Sequence, residues 1–278
     1  MPYFKTPDGC NLYFESIGEG AGKPAIAFIN GTLQTTVYWK PFGKALADRF
    51  RLLLYDCRGQ GESDLGASPL SLSQHMSDLQ FLLYELGIHQ THIIGISHGA
   101  RVALALADNH PELVARMVLC SISTRSTFRA KMIVRSWYEI LRRHSLDAMV
   151  WAAVPYVFGR KYLKENSKIM DRIVNTIVRR NHTEALRAHL EAMQNYPPLS
   201  DSLKKTPFLT LLLTGEDDPL VTSQGAQEMA QACGGRHREL EGVGHSIPAE
   251  APELFVKLVL DFLAPQNGPA AIKQGSFI

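Results

Sequence analysis

Strand-length runs of almost unbroken apolar residues recur along this chain and limit its fold more than any other feature. AIAFIN (25–30), RLLLYD (51–56), THIIGIS (91–97), RMVLCSI (116–122) and FLTLLLTG (208–215) carry too few polar residues to leave one face in water. Each therefore belongs in a sheet covered on both sides. The segments between them have helical spacing. In LSQHMSDLQFLLYELGI, Met76, Leu79, Leu82, Leu83 and Leu86 recur at three- and four-residue steps, and Gly87 supplies a stop. Strands alternating with helices predict an α/β fold: a mostly parallel sheet of about eight strands with helices on both faces. A hairpin around TPDG opens the chain. HRELEGV and ELFVKLVLDFL supply the last strand and last helix.

The alternation breaks once. Residues 125–205 contain several helical patterns and no strand, and a structureless loop of that length does not fit a compact domain. The expected organisation is a core of 1–124 and 206–263, a helical cap inserted at 125–205, and a loosely held tail at 264–278 with turn-forming, polar composition. Length and composition fit a folded, water-exposed protein: 278 residues, 45% apolar and 20% charged.

A formal net charge of +2 with no long basic run gives nucleic-acid binding no support. No apolar run approaches the roughly 20 residues of a membrane span, and the first residues do not read as a secretory signal. Cys10, Cys57, Cys120 and Cys233 lack CxxC spacing. That argues against a disulfide framework or zinc site and for a cytoplasmic location. Nothing in the sequence sets an oligomeric state.

Within HIIGISHGARVALAL, Ser97 stands between Gly95 and Gly99. A GxSxG match alone arises by chance in about one chain in ten of this length. Here, however, the serine ends an expected buried strand and opens an expected helix, as a nucleophile elbow requires. A serine hydroxyl needs a base to take its proton, and the base needs a carboxylate to orient it. His245, in the glycine-flanked loop GVGHSIP, is the candidate base. Glu216, Asp217 and Asp218, at the end of the strand in LLLTGEDDPLV, are the candidate acids. An acid just before a helix also suits capping. Two backbone N–H groups would hold an oxyanion: that of His98, directly after the serine, and that of Thr32, after the strand ending in Asn30-Gly31. The imidazole of His98, one residue from the nucleophile, points the wrong way to act as base. His237 and His75 read as solvated or packing positions.

Together INGTLQTTVYW, YDCRGQGESD, GISHG, GEDDPLV and GVGHSIPAEAPELF resemble the α/β-hydrolase superfamily, in particular its capped branch of esterases, enol-lactonases, C–C hydrolases and cofactor-free haloperoxidase-like proteins. The resemblance covers roughly residues 1–125 and 206–263. It implies Asp218 as the catalytic acid, three residues after Gly215. It also implies a structural loop at Asp56, Arg58, Gly59, Gly61 and Ser63. Many relatives have His-Gly where this chain has Asn30-Gly31, and Met-Gly-Gly where it has His98-Gly99-Ala100. The oxyanion role belongs to backbone, so neither departure removes it.

The expectation is a Ser97–His245–Asp218 hydrolase of a carboxylic ester or related small-molecule acyl compound, with no metal or cofactor. An acyltransferase, a C–C or enol-lactone hydrolase, or a ligand-binding receptor would retain the same site. Asn30, Trp137, Trp151, Tyr156 and Phe158 are the candidate pocket residues, because an acyl pocket is mostly apolar.

Overall fold

The computed structural model describes residues 2–20, 22–197, 199 and 209–264. The expected boundary at 205 and all of the tail except Ala264 lie outside the described residues. Eight strands form one sheet: β1 (Tyr3–Lys5), β2 (Asn11–Ile17), β3 (Ala25–Ile29), β4 (Arg51–Tyr55), β5 (Thr91–Ile96), β6 (Val114–Cys120), β7 (Leu209–Gly215) and β8 (Arg236–Leu240). Their order is β1-β2-β4-β3-β5-β6-β7-β8. The β1–β2 and β2–β4 pairs are antiparallel, and every other pair is parallel.

The buried strands read as expected: every residue of β3 is buried, as a parallel strand covered on both faces must be. One face packs on α1 (Lys40–Leu46) and α11 (Pro252–Leu263) through Phe42, Leu46, Phe255 and Val259. The other packs on α2 (Leu72–Glu85), α3 (His98–Asn109) and α9 (Ser223–Ala232) through Leu79, Leu82, Val102 and Met229. Between β6 and β7 the described residues form five helices: α4 (Phe128–Arg143), α5 (Leu146–Val157), α6 (Arg160–Glu165), α7 (Met170–Arg179) and α8 (Thr183–Met193). They share a hydrophobic cluster of their own, which includes Trp137, Met149, Val174 and Leu190. A short helix, α10 (Ile247–Glu250), precedes α11. Among the described residues no helix is long and apolar enough to cross a membrane, and all four cysteines are free and buried.

The loop after β4 is rigid for electrostatic reasons. The Arg58 guanidinium is fully buried and donates to both oxygens of Asp78, at 2.9 and 2.7 Å, and to both oxygens of Asp8, each at 2.9 Å. Hydrogen bonds from Arg58 hold the Asp8 carboxyl far below the usual carboxylate range. Removing one partner of a buried ion pair strands the other's charge, which costs about 3–5 kcal/mol. Arg58→Ala is therefore expected to lower Tm by roughly 10 °C. The Asp8 carboxyl is depressed in the folded state, so its contribution is present above its unfolded value of 3.8 and is lost as the pH falls further. Arg58→Ala should accordingly flatten the decline of Tm below pH 4. Thermal melts from pH 7 to 2.5 check both points, and a variant that melts like wild type would refute them.

Candidate active site

Ser97 sits between β5 and α3 with φ 54° and ψ −112°, a left-handed conformation that is costly for a residue with a Cβ. Its N–H donates to the Cys120 carbonyl at 2.9 Å, and its own carbonyl accepts from Ala100 N at 3.1 Å and Arg101 N at 3.3 Å. These bonds on both sides hold the strained turn. The flanking glycines permit it: a Cβ on Gly99 would lie 2.2 Å from the Ile29 carbonyl oxygen, and one on Gly95 would lie 2.7 Å from the Gly99 oxygen. Backbone therefore packs directly on backbone where β3, β5 and α3 converge.

His245 lies in the loop between β8 and α10, and its Nδ1–H donates to Asp218 Oδ2 at 2.7 Å. A carboxylate only accepts, so this bond fixes the proton on Nδ1 and leaves the Nε2 lone pair free in the neutral ring. The Asp218 carboxylate is fully buried. Its other oxygen accepts from Leu220 N at 2.8 Å and Val221 N at 3.2 Å. The neighbouring acids turn elsewhere. Asp217 pairs with Arg160 at the start of α6 at 2.9 Å, and Glu216 accepts from Gly242 N at 2.9 Å.

Thr32 and His98 each carry a backbone N–H with no protein acceptor among the described residues. The Thr32 loop is fixed from two directions. Gly31 N donates to Gln34 Oε1 at 2.8 Å, and Gln60 Nε2 donates to the Gly31 carbonyl at 2.9 Å. The His98 imidazole points away into the interior, where its Nε2 meets the Tyr196 hydroxyl at 3.1 Å. His75 is buried beside it with 1% exposure, so it is not solvated.

Ser97, His98, His245 and Thr32 line one cavity of about 790 Å³, with Trp137 and Phe158 among its apolar walls. Three expected pocket residues are not in that lining. Asn30 is fully buried below it: its amide donates to the Tyr55 carbonyl at 3.1 Å and Asp56 Oδ1 at 3.2 Å, and its Oδ1 accepts from Trp39 Nε1 at 2.8 Å. Trp151 is 39% exposed, because the buried face of α5 runs through Leu146, Met149, Val150, Ala153 and Val154 and leaves Trp151 on the opposite side. Tyr156 packs at 6.4 Å from the Trp137 ring, behind the wall. The lining carries Arg101, Arg125, Lys131, Arg135 and Arg180, and no carboxylate among the described residues.

A family profile described as "alpha/beta hydrolase fold" matches residues 24–252, most of the described sheet and the loops that carry Ser97, Asp218 and Thr32. The chain belongs to the alpha/beta hydrolase fold family. A Caulobacter species protein that bears the name carbamate hydrolase RutD is 26% identical over 93% of this chain and 97% of its own. The crystal structure of the enol-lactonase from Burkholderia xenovorans is 27% identical, covers 95% of this chain and 100% of its own, and superposes with a TM-score of 0.86. An alpha/beta hydrolase enzyme from a Medee basin deep-sea metagenome library shares the fold at a TM-score of 0.90 and 23% identity, over 97% of this chain and 100% of its own.

Sequence reasoning missed two residues that support the site of this hydrolase. Ser121 ends β6 two residues earlier than the apolar run suggests, because it takes φ 54°. Its hydroxyl donates to the His245 carbonyl at 2.7 Å. Glu250 accepts from Gly159 N, Gly244 N and Ser246 N at 2.8, 2.9 and 3.1 Å, tying the His245 loop to the α5–α6 corner. Burial pushes the Glu250 carboxyl upward, against these three bonds. The Ser121–His245 and Gly159–Glu250 contacts span sequence separations that no local pattern reports.

Proposed function

We propose that this hydrolase cleaves a carboxylic ester or related acyl compound through Ser97, His245 and Asp218. The observation that carries the reading is the strained Ser97 turn on the same cavity as His245, whose ring is oriented by Asp218. His245 Nε2 takes the Ser97 proton as Oγ adds to the carbonyl carbon. Asp218 stabilises the resulting imidazolium. The negative charge that develops on the carbonyl oxygen meets the N–H groups of Thr32 and His98 at the N-terminal end of α3. Collapse of the tetrahedral intermediate breaks the bond to the leaving group, which receives the proton from His245, and leaves an acyl-Ser97 ester. Water deprotonated by His245 then adds to that ester and releases the acid and the serine. All of these steps use side chains, backbone N–H groups and water, with no cofactor.

In this reading α4–α8 form a cap over the site, the exposed cations of the cavity lining, Arg125, Lys131, Arg135 and Arg180, favour a substrate that carries its own negative charge, and the protein works in the cytoplasm. The names of the relatives widen the leaving-group range: a carbamate or an enol-lactone presents the same carbonyl to Ser97. The test is a panel of esters, lactones and carbamates in matched neutral and anionic pairs, combined with fluorophosphonate labelling. The expected result is turnover of at least one class, a preference for the anionic member, and a single adduct on Ser97. Labelling of any other residue, or turnover that continues after Ser97 is labelled, would overturn the reading.

A further inference from the structure

The proposed reaction leaves one cluster of chemically capable side chains unused. His75 on α2, His98 on α3 and His189 on α8 are 1%, 0% and 2% exposed. Their rings meet edge to face, with centroids 4.7 Å apart for His75–His98, 4.3 Å for His98–His189 and 5.8 Å for His75–His189. One ring nitrogen from each lies within 4.8 Å of the other two. Both nitrogens of His75, and Nδ1 of His189, are buried without a hydrogen-bond partner. A buried imidazole nitrogen left unpaired is costly, so a cluster that holds three of them calls for an occupant. Burial, the largest cause, keeps all three rings neutral, and each neutral ring carries one lone pair.

We propose that His75, His98 and His189 form a tri-histidine site for a divalent transition metal, which fastens α8 to α2 and α3. Three imidazoles without a carboxylate suit Zn²⁺ and exclude Mg²⁺ or Ca²⁺, which require oxygen ligands. The remaining nitrogens are already placed. Nε2 of His98 faces the Tyr196 hydroxyl at 3.1 Å, and Nε2 of His189 faces Thr32 Oγ1 at 3.1 Å. With Nε2–H donating to Thr32 Oγ1, Nδ1 of His189 keeps its lone pair for the metal, and a hydrogen bond to the Asn30 backbone fixes the His98 ring in turn, the usual outer arrangement of a metal-bound histidine. Zn–N bonds of about 2.0–2.1 Å in a tetrahedral site need ligand nitrogens about 3.3 Å apart. The rings must therefore close inward by an ångström or so. A metal here would set the cavity wall, because α8 contributes Leu190 and Met193 to it. Through His189 it would also steady the Thr32 loop.

The alternative occupant is a buried water. The test uses the full chain stripped with a chelator and dialysed. Calorimetric titration with Zn²⁺ should give one submicromolar site per chain and a Tm rise of several degrees. Co²⁺ should develop the visible bands of a four-coordinate nitrogen site. His75→Phe and His189→Gln should each lose the tight site and the Co²⁺ bands while circular dichroism stays unchanged. Should either variant fail to fold, the wild-type titration and Co²⁺ spectrum still decide. A stripped wild-type protein that binds no Zn²⁺ at micromolar concentration and melts unchanged would overturn the proposal in favour of water. Tight binding that survives in both variants would overturn it in favour of surface histidines. None of these readouts involves turnover, so they stand or fall independently of the reaction proposed for Ser97.

Discussion

Ser97→Ala is expected to reduce kcat on the best ester of the panel by up to about 10⁶-fold, the scale on which removal of a serine nucleophile acts elsewhere. KM should change little, because the cavity wall loses one oxygen atom. Residual activity above the uncatalysed rate should persist, since the N–H groups of Thr32 and His98 still meet the developing charge. Alanine at this position keeps the same left-handed φ of 54° and the same Cβ, so Tm should stay within a few degrees of wild type. The loss can then be assigned to chemistry. Single-turnover assays with a chromogenic ester decide the matter, and a variant retaining more than a tenth of wild-type kcat would sink the nucleophile assignment.

Asp218→Asn should be nearly as damaging, with a kcat loss of about 10⁴-fold. Asparagine can keep Oδ1 on Leu220 N and Val221 N, so the side chain stays in place. Its amide then turns a donor toward Nδ1 of His245 where a carboxylate accepted at 2.7 Å. That favours the tautomer with the proton on Nε2, which cannot take the Ser97 proton, and the imidazolium loses its counter-charge. Asp217→Asn removes only the pair with Arg160, whose side chain is 77% exposed, and a surface pair contributes about 1 kcal/mol or less. Activity within a few-fold of wild type is expected there. Reversal of the two results, with Asp217→Asn inactive and Asp218→Asn active, would move the acid role to Asp217.

Much of this organisation was legible in the chain itself. The five apolar runs became β3 to β7, because a strand covered on both faces must be apolar throughout, and that pattern is local. The strand–GISHG–helix placement was legible for the same reason: the tight turn needs Gly95 and Gly99 whatever lies around it. Other assignments failed or stayed open where the deciding neighbour is distant in sequence. Asn30 was expected in the pocket, yet its amide is taken up by Tyr55, Asp56 and Trp39. Trp151 looked suited to an apolar pocket, and only the choice of α5's buried face turned it outward. Within GEDD the three acids are equivalent in composition. They separate only because Gly242, Arg160 and His245 stand in three different directions.

By itself, then, the sequence determined the order of buried strands and covering helices and the position of the tight Ser97 turn, since hydrophobic periodicity and glycine spacing act over a few residues. The tertiary structure gave the reason why Asp218, the acid implied by the family resemblance, is the one that faces His245, and it alone decided which aromatic residues line the cavity and that His75, His98 and His189 meet. Those outcomes depend on side-chain directions and on contacts between elements as far apart in the chain as Thr32 and His189, and no local pattern encodes them.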